Sequence, residues 1–383
     1  MILLFAFIVY IAVRLVSWLS TWTHPAVRVF AVVVYAALTL SIFFLIFTFD
    51  GAWAAIGRTI GAYWLGIFLY LSLSVVLIDV ILLIARLITR PEKEKWKRVR
   101  FASGWVVVCL TACISIYGFI NADNPRVVSY EVDLSSNATE TSLIDAEQDR
   151  TGVEPMRIVL IADTHLGAQG TEARLPRIVE MINAQDPDMV LIAGDVFNGS
   201  ILTIDSPETI AENLRAINAP KGVFACLGNH DGGYGFDETL EVLKQGNVTL
   251  LREDFAVVDD TCVIVGREDG NVISYGDGLR RGTYDAIFNR MGTQDLPIIV
   301  IDHNPIHIDE YASDVSLVVC GHTHDGQVFP LTLVTDAMYV CDYGLYQRDA
   351  NSPFLIVTSG VDYWGTPMRV GSTPEIAVID ARL

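Results

Sequence analysis

Residues 157 to 167 read RIVLIADTHLG, an apolar run that stops abruptly on an acid and an imidazole two positions apart. A continuous apolar stretch this short, closed by turn residues, predicts a strand buried on both faces. The pattern recurs four times downstream. DMVLIAG (188 to 194) precedes Asp195, GVFACLG (222 to 228) precedes Asn229 and His230, PIIVID (297 to 302) precedes His303, and VSLVVCG (315 to 321) precedes His322 and His324. In open α/β sheets ligands bind just beyond the carboxyl ends of strands, so five strands that end this way converge on one site.

Seven histidines occur in the chain, and five of them directly follow these strands. One such residue alone reads as a cap or a surface group, but the agreement of all five positions does not. Imidazole, carboxylate and carboxamide donors suit Mn, Fe or Zn, whereas an all-oxygen set suits Mg or Ca. Seven candidate ligands, Asp163, His165, Asp195, Asn229, His303, His322 and His324, need two divalent ions. Residues two apart in an extended segment project to the same side, so D-x-H and H-x-H each serve one cluster. One carboxylate must bridge, and Asp195, alone at its strand end behind Gly194, is the candidate.

DTHLG (163 to 167), GD (194 to 195), GNHD (228 to 231), DH (302 to 303) and GHTH (321 to 324) resemble, in order and spacing, the five-block signature of the calcineurin-like metallophosphoesterases. The closing segments GHTHDGQVFP and SGVDYWGTPMRVGSTPEIAVI (359 to 379) resemble its bacterial membrane- or wall-associated branch. The resemblance spans about 127 to 383. It implies an α/β fold, a four-layer α/β/β/α sandwich of two mixed sheets. It also implies one ion on Asp163, His165, Asp195 and His324 and a second on Asp195, Asn229, His303 and His322. Asp195 and His230 are then the catalytic pair, with Asp195 bridging the ions under a metal hydroxide and His230 outside both ions beside the leaving group. Asp231 and Asp302 are placed to orient imidazoles from behind, or else are solvated. The branch reads GHTHGGQ where this chain has Asp325, which needs a positive φ or disfavours highly anionic substrates; the plainer reading is a tolerated loop change.

Working outward, VVSYEVDL (127 to 134) alternates like a strand, and the polar, acidic stretch 135 to 155 reads as a flexible surface insertion. Residues 1 to 121 differ in kind. Mean hydropathy for the whole chain is +0.41, and stretches at about 1 to 19, 29 to 49, 61 to 85 and 101 to 120 each approach the ~20 residues that span a hydrocarbon core. About four transmembrane helices are therefore expected as an anchor over 1 to 121, with the catalytic domain over 122 to 383. The segment RLITRPEKEKWKRVR (86 to 100) reads as a basic cytoplasmic loop, which sends the catalytic domain to the extracytoplasmic side of a multi-pass protein of the bacterial plasma membrane. Arg14 lies after the first apolar core rather than before it, which favours a retained helix over a cleaved signal peptide. Arg14 and Asp79 fall at corresponding depths of their helices and are placed to pair, unless each reaches the interface alone.

Charge divides the same way. Residues 1 to 121 carry +6 and the remainder −25 of the net −19. So acidic a domain repels nucleic-acid phosphates, which excludes a nucleic-acid binder. The six cysteines show no CxxC spacing, so neither a thiolate zinc site nor a disulfide framework is expected. The expected partner is a phosphoester, a phosphodiester or pyrophosphate of a lipid or envelope component, because a membrane tether raises the effective concentration of such a substrate. The alternative, a non-catalytic metal-binding scaffold or sensor on an anchor, sits poorly with a complete ligand set. Oligomeric state is not legible.

Overall fold

The computed structural model of the chain describes residues 2–46, 52–134, 155–168, 170–270, 276–292, 295–311 and 313–383. Apart from Pro155, the insertion read at 135 to 155 lies outside the described residues. Two compact units emerge, Met1–Ile120 with Gly365–Met368, and Asn121–Trp364 with Arg369–Leu383.

The first unit consists of the helices α1 (Ile2–Leu19), α2 (Pro25–Ser41), α3 (Phe43–Ile46), α4 (Ala52–Thr89) and α5 (Lys93–Ala122). Three helical segments, Pro25–Leu45, Trp53–Thr89 and Lys93–Ala122, are long and apolar enough to cross a membrane, and Phe5–Leu19 is a shorter apolar helix. Of the four spans expected, three meet the length among the described residues. The expected basic loop shrinks as well, because Lys93 to Arg100 form the first turns of α5. Lys, Glu and Arg are good helix formers, and the one breaker in the stretch, Pro91, stands ahead of them. At the start of α2, Nδ1 of His24 accepts from the Ala26 N–H and Pro25 occupies the first turn, where its missing N–H leaves no donor unsatisfied. Within the bundle Arg14 pairs with Asp79, which also accepts from the Tyr10 hydroxyl.

Two six-stranded sheets build the second unit. One runs β1 (Arg126–Asp133), β12 (Glu375–Arg382), β2 (Met156–Ile161), β3 (Met189–Ala193), β4 (Val223–Cys226), β5 (Val248–Leu250); the other runs β10 (Gly344–Tyr346), β11 (Phe354–Val357), β9 (Leu317–Cys320), β8 (Ile298–Ile301), β7 (Cys262–Gly266), β6 (Asp254–Val258). Both are mixed: β2 to β5 are parallel, as are β7, β8, β9 and β11, while β12–β2, β10–β11 and β6–β7 are antiparallel.

The apolar runs explain the layering through the two-residue period of a strand. Ile158, Leu160, Met189 and Leu191 point inward with Ile264, Ile299, Leu317 and Ile356 to form the core between the sheets. Val159, Ile161, Val190 and Ile192 point the other way, under α6 (Leu175–Asn183), α7 (Pro207–Arg215) and α8 (Phe236–Gln245). The second sheet is covered by α9 (Tyr284–Met291). Helix α6 shows why these helices dock: Leu175, Ile178, Val179 and Ile182 are its buried residues, the spacing of a single apolar stripe. The result is a four-layer α/β/β/α sandwich, and the carboxyl ends of β2, β3, β4, β8 and β9 carry the candidate ligands.

Candidate metal centre

Tight turns, not extended chain, deliver the ligands. Asp163 (φ 58°), His165 (φ 42°), Asp195 (φ 51°), His322 (φ 73°) and His324 (φ 52°) all lie in the left-handed region. The extended D-x-H and H-x-H geometry expected from sequence is therefore corrected. Each such residue costs about 1–3 kcal/mol and persists only where its surroundings over-determine it. Here the loops hold one another: the N–H of Asp163 donates to Gly194 O at 3.0 Å, that of His165 to Asp195 O at 3.0 Å, and that of His322 to the Asp163 carboxylate at 3.1 Å. The close approach needs glycine. A Cβ on Gly194 would lie 2.8 Å from His303 Nδ1, and one on Gly228 2.2 Å from Asp195 Oδ1.

Two pockets of donor atoms result. In the first, His165 Nε2 lies 3.1 Å from His324 Nε2, 4.0 Å from Asp163 Oδ1 and 3.7 Å from Asp195 Oδ2, and His324 Nε2 lies 3.6 Å from Asp163 Oδ1. In the second, His303 Nε2 lies 3.1 Å from Asn229 Oδ1, 3.2 Å from His322 Nδ1 and 3.3 Å from Asp195 Oδ2, and Asn229 Oδ1 is 2.9 Å from His322 Nδ1. Asp195 Oδ2 thus belongs to both. Donors bound to one ion at about 2.0–2.2 Å stand roughly 3–3.5 Å from each other; the second pocket has about these spacings, and the first, at 3.1 to 4.0 Å, is somewhat wider. All seven proposed ligands of the sequence reading are brought together.

Electrostatics agree with that grouping. Burial pushes Asp163 up to about 7, with Asp195 adding to the shift. Burial also holds His165 and His322 down to about 3, and His324 well below its ordinary value with help from the Arg369 charge. Asp195 and His303 go the opposite way as an ion pair: burial opposes both charges, but their mutual attraction lowers the acid and raises the imidazole. Buried Asp163 and Asp195 facing the unprotonated imidazoles of His165, His322 and His324, with His303 held charged against Asp195, form an acceptor-rich hole, the environment a cation satisfies.

Behind the ligands, His303 Nδ1 donates to the carbonyl of Ala193 at 2.7 Å. A carbonyl can only accept, so Nε2 is the atom left to face the site. Asp231 and Asp302, read from sequence as either orienting imidazoles or solvated, are both buried and bond to other groups. Asp231 accepts from the N–H groups of Phe197 and Gly228, at 2.7 Å each, and ties two loops together. Asp302 receives both arms of Arg281 at 3.0 and 2.7 Å and the Tyr311 hydroxyl at 2.6 Å. The serving residue that sequence reasoning missed is Arg369, fully buried, whose guanidinium donates to the carbonyls of His324 and Ser359 at 2.7 Å each. It lies in a segment quoted for its resemblance, but without the strand-end signature that marked the ligands.

His230 stands beside the two pockets. Its N–H donates to Asp195 Oδ1 at 2.7 Å, and its ring lies 5.2 Å from that of His165 and 5.8 Å from that of Trp364, which is 54% exposed. Burial lowers its pKa, so the ring is neutral near pH 7. Asp325 has φ 49° and ψ 41°, the left-handed conformation that glycine takes without strain.

Residues 156–326 match the calcineurin-like phosphoesterase family. The chain is similar to a transmembrane protein with metallophosphoesterase domain of Danio rerio, 31% identical over 307 residues that cover 76% of this chain and 65% of that one. It is similar also to an uncharacterised metallophosphoesterase of Campylobacter jejuni, 30% identical over 237 residues and 59% of either chain, and to one of Aquifex aeolicus, 28% identical over 251 residues, 63% of this chain and 90% of that one. The chain spans less than two thirds of the length of the first two relatives. Residues 156–326 therefore form a calcineurin-like metallophosphoesterase domain.

Proposed function

We propose that the chain hydrolyses a phosphoester at a dinuclear centre, with Asp163, His165, Asp195 and His324 holding one divalent ion and Asp195, Asn229, His303 and His322 the other. The observation that carries this reading is the position of Asp195 Oδ2, 3.7 Å from His165 Nε2 on one side and 3.3 Å from His303 Nε2 on the other. When bound, such an ion pair supplies Lewis acidity to phosphoryl oxygens and lowers the pKa of an attacking water. The protein's part is to hold that arrangement rigid. His230, neutral and beside both pockets, donates its ring N–H to the leaving oxygen, and half-exposed Trp364 gives the leaving group a flat apolar surface.

A lipid-linked diester or pyrophosphate is the substrate class we favour, with the domain on the extracytoplasmic side of a membrane. Helix α10 (Leu331–Met338) follows the GHTHDG turn, buries none of its residues, and leaves Leu333 60% and Met338 65% exposed. Tyr339, at its end, places its ring 6.3 Å from that of His322. An exposed apolar helix at the rim of a polar centre suits acyl chains whose phosphate has entered it. The apolar helices of residues 1 to 121 support the same placement.

The full chain should cleave a bis(aryl) phosphodiester faster than an aryl monoester, with Mn or Zn restoring what a chelator removes. Leu333→Ser with Met338→Ser should raise KM for a diacylglycerol-linked pyrophosphate and leave the bis(aryl) ester unaffected. No metal-dependent cleavage of either ester would end the hydrolase reading; equal KM values for the lipid in both proteins would end the lipid reading alone.

A further inference from the structure

A second group of charges lies far from any ligand in the chain order, inside the helical unit. A cavity of about 100 Å³ there is lined by Arg14, Asp79 and Arg100 among apolar side chains such as Leu71, Val75 and Val107. Two guanidiniums and one carboxylate leave one positive charge, partly buried among apolar side chains, an arrangement that favours an anionic partner. Asp79 is already engaged by Arg14 and Tyr10. Arg100 reaches only the hydroxyl of Ser17, at 2.7 Å, and has no carboxylate partner among the described residues. The Nε–H of Arg14 is buried with no acceptor among them. The buried Nε–H of Arg14 without an acceptor and an Arg100 guanidinium that meets only a hydroxyl line the same cavity; such donors call for acceptor oxygens, and phosphate is the anion whose geometry they match.

Depth points to the source of that phosphate. Trp18, a lining residue, stacks edge-on with Trp105 at 5.3 Å and with Trp22 at 5.6 Å, and Trp22 lies 6.0 Å from Trp105. Aromatic clusters of this kind mark the level of lipid headgroups. Lys93, Lys95, Lys97 and Arg98 precede Arg100 on the same helix, a run of the kind that draws anionic lipid. We propose that the cavity binds the phosphodiester headgroup of an anionic membrane phospholipid, with Arg14 and Arg100 donating to its phosphate oxygens and its acyl chains running along the apolar wall. This goes beyond the hydrolase reading and does not rest on it.

The test uses the full chain in detergent with a chelator present, so that a phosphoester held at the metal centre does not contribute. Binding of dioctanoyl phosphatidylglycerol, dioctanoylglycerol and glycerol 3-phosphate is compared by native mass spectrometry. The phosphatidylglycerol should bind most tightly. Arg100→Gln should weaken it about tenfold or more, the loss expected for a hydrogen bond to a charged group, while Lys244→Gln, at an exposed position of α8 outside the helical unit, should leave it unchanged. Equal binding of dioctanoylglycerol would overturn the phosphate site, and equal binding of glycerol 3-phosphate would overturn the lipid as its occupant. If Arg100→Gln does not fold, the three-ligand comparison on the unaltered chain still decides.

Discussion

Arg369 donates to the backbone carbonyl of His324 at 2.7 Å, and its Nη2 lies 3.1 Å from Nδ1 of the same residue, 45 positions away in the chain. This contact supports the left-handed backbone of His324 and, through its charge, disfavours a proton on the ring. Residues that position a metal ligand in this way are typically worth about 10–100-fold in metal affinity. Arg369→Gln should therefore weaken binding at the first pocket by about that factor, read by titration with Mn or Zn, while the far-UV spectrum stays that of the unaltered protein. Unchanged affinity would make the contact purely structural.

The ring of His230 packs edge-on against that of His165 at 5.2 Å but belongs to neither group of donor atoms, so its removal should separate binding from chemistry. His230→Ala should retain its metal by elemental analysis and lose about 10²–10⁴-fold in kcat, with KM for the bis(aryl) ester little changed. Loss of metal in this variant would place His230 among the ligands instead.

Arg281 and Asp302 form a buried bidentate pair directly ahead of His303, with side chains 8% and 1% exposed. Removing one partner leaves an uncompensated charge in the interior, which costs about 3–5 kcal/mol. Arg281→Ala should lower hydrogen-exchange protection across 298 to 301 by that amount. Wild-type protection there would mean that Tyr311 alone suffices.

Asp325 adds a carboxyl one residue from a ligand, in a backbone conformation that favours glycine. Asp325→Gly should lower KM for a dianionic aryl monoester about two- to fivefold, the effect of one partly exposed charge, and change the monoanionic diester less. An equal effect on both esters would argue against charge discrimination at this position.

Much of this centre is legible in the sequence, because each ligand abuts an apolar run and strand direction then dictates where it ends up. The backbone of those ligands is not legible. The left-handed turns at Asp163 and Asp195 depend on hydrogen bonds such as Asp163 N–H to Gly194 O, which join loops of different strands. Arg369 and Trp364 reach the site from an irregular segment with no periodic signal, so only tertiary contact reveals them. Asp231 and Asp302 could be read two ways for a related reason: adjacency to a ligand in sequence does not say which way a carboxylate turns, and the N–H groups of Phe197 and Gly228 and the Arg281 guanidinium compete for them. In the helical part, the basic residues from Lys93 onward continue α5 because charge by itself does not break a helix.

Metal content of the purified full chain, measured together with anomalous scattering from crystals grown in Mn or Zn, bears most directly on the shared role of Asp195. Two ions per chain are expected, each within coordinating distance of this carboxylate, and Asp195→Ala should lose metal and activity together. One ion or none in a fully active protein, or two ions of which only one touches Asp195, would contradict the bridge.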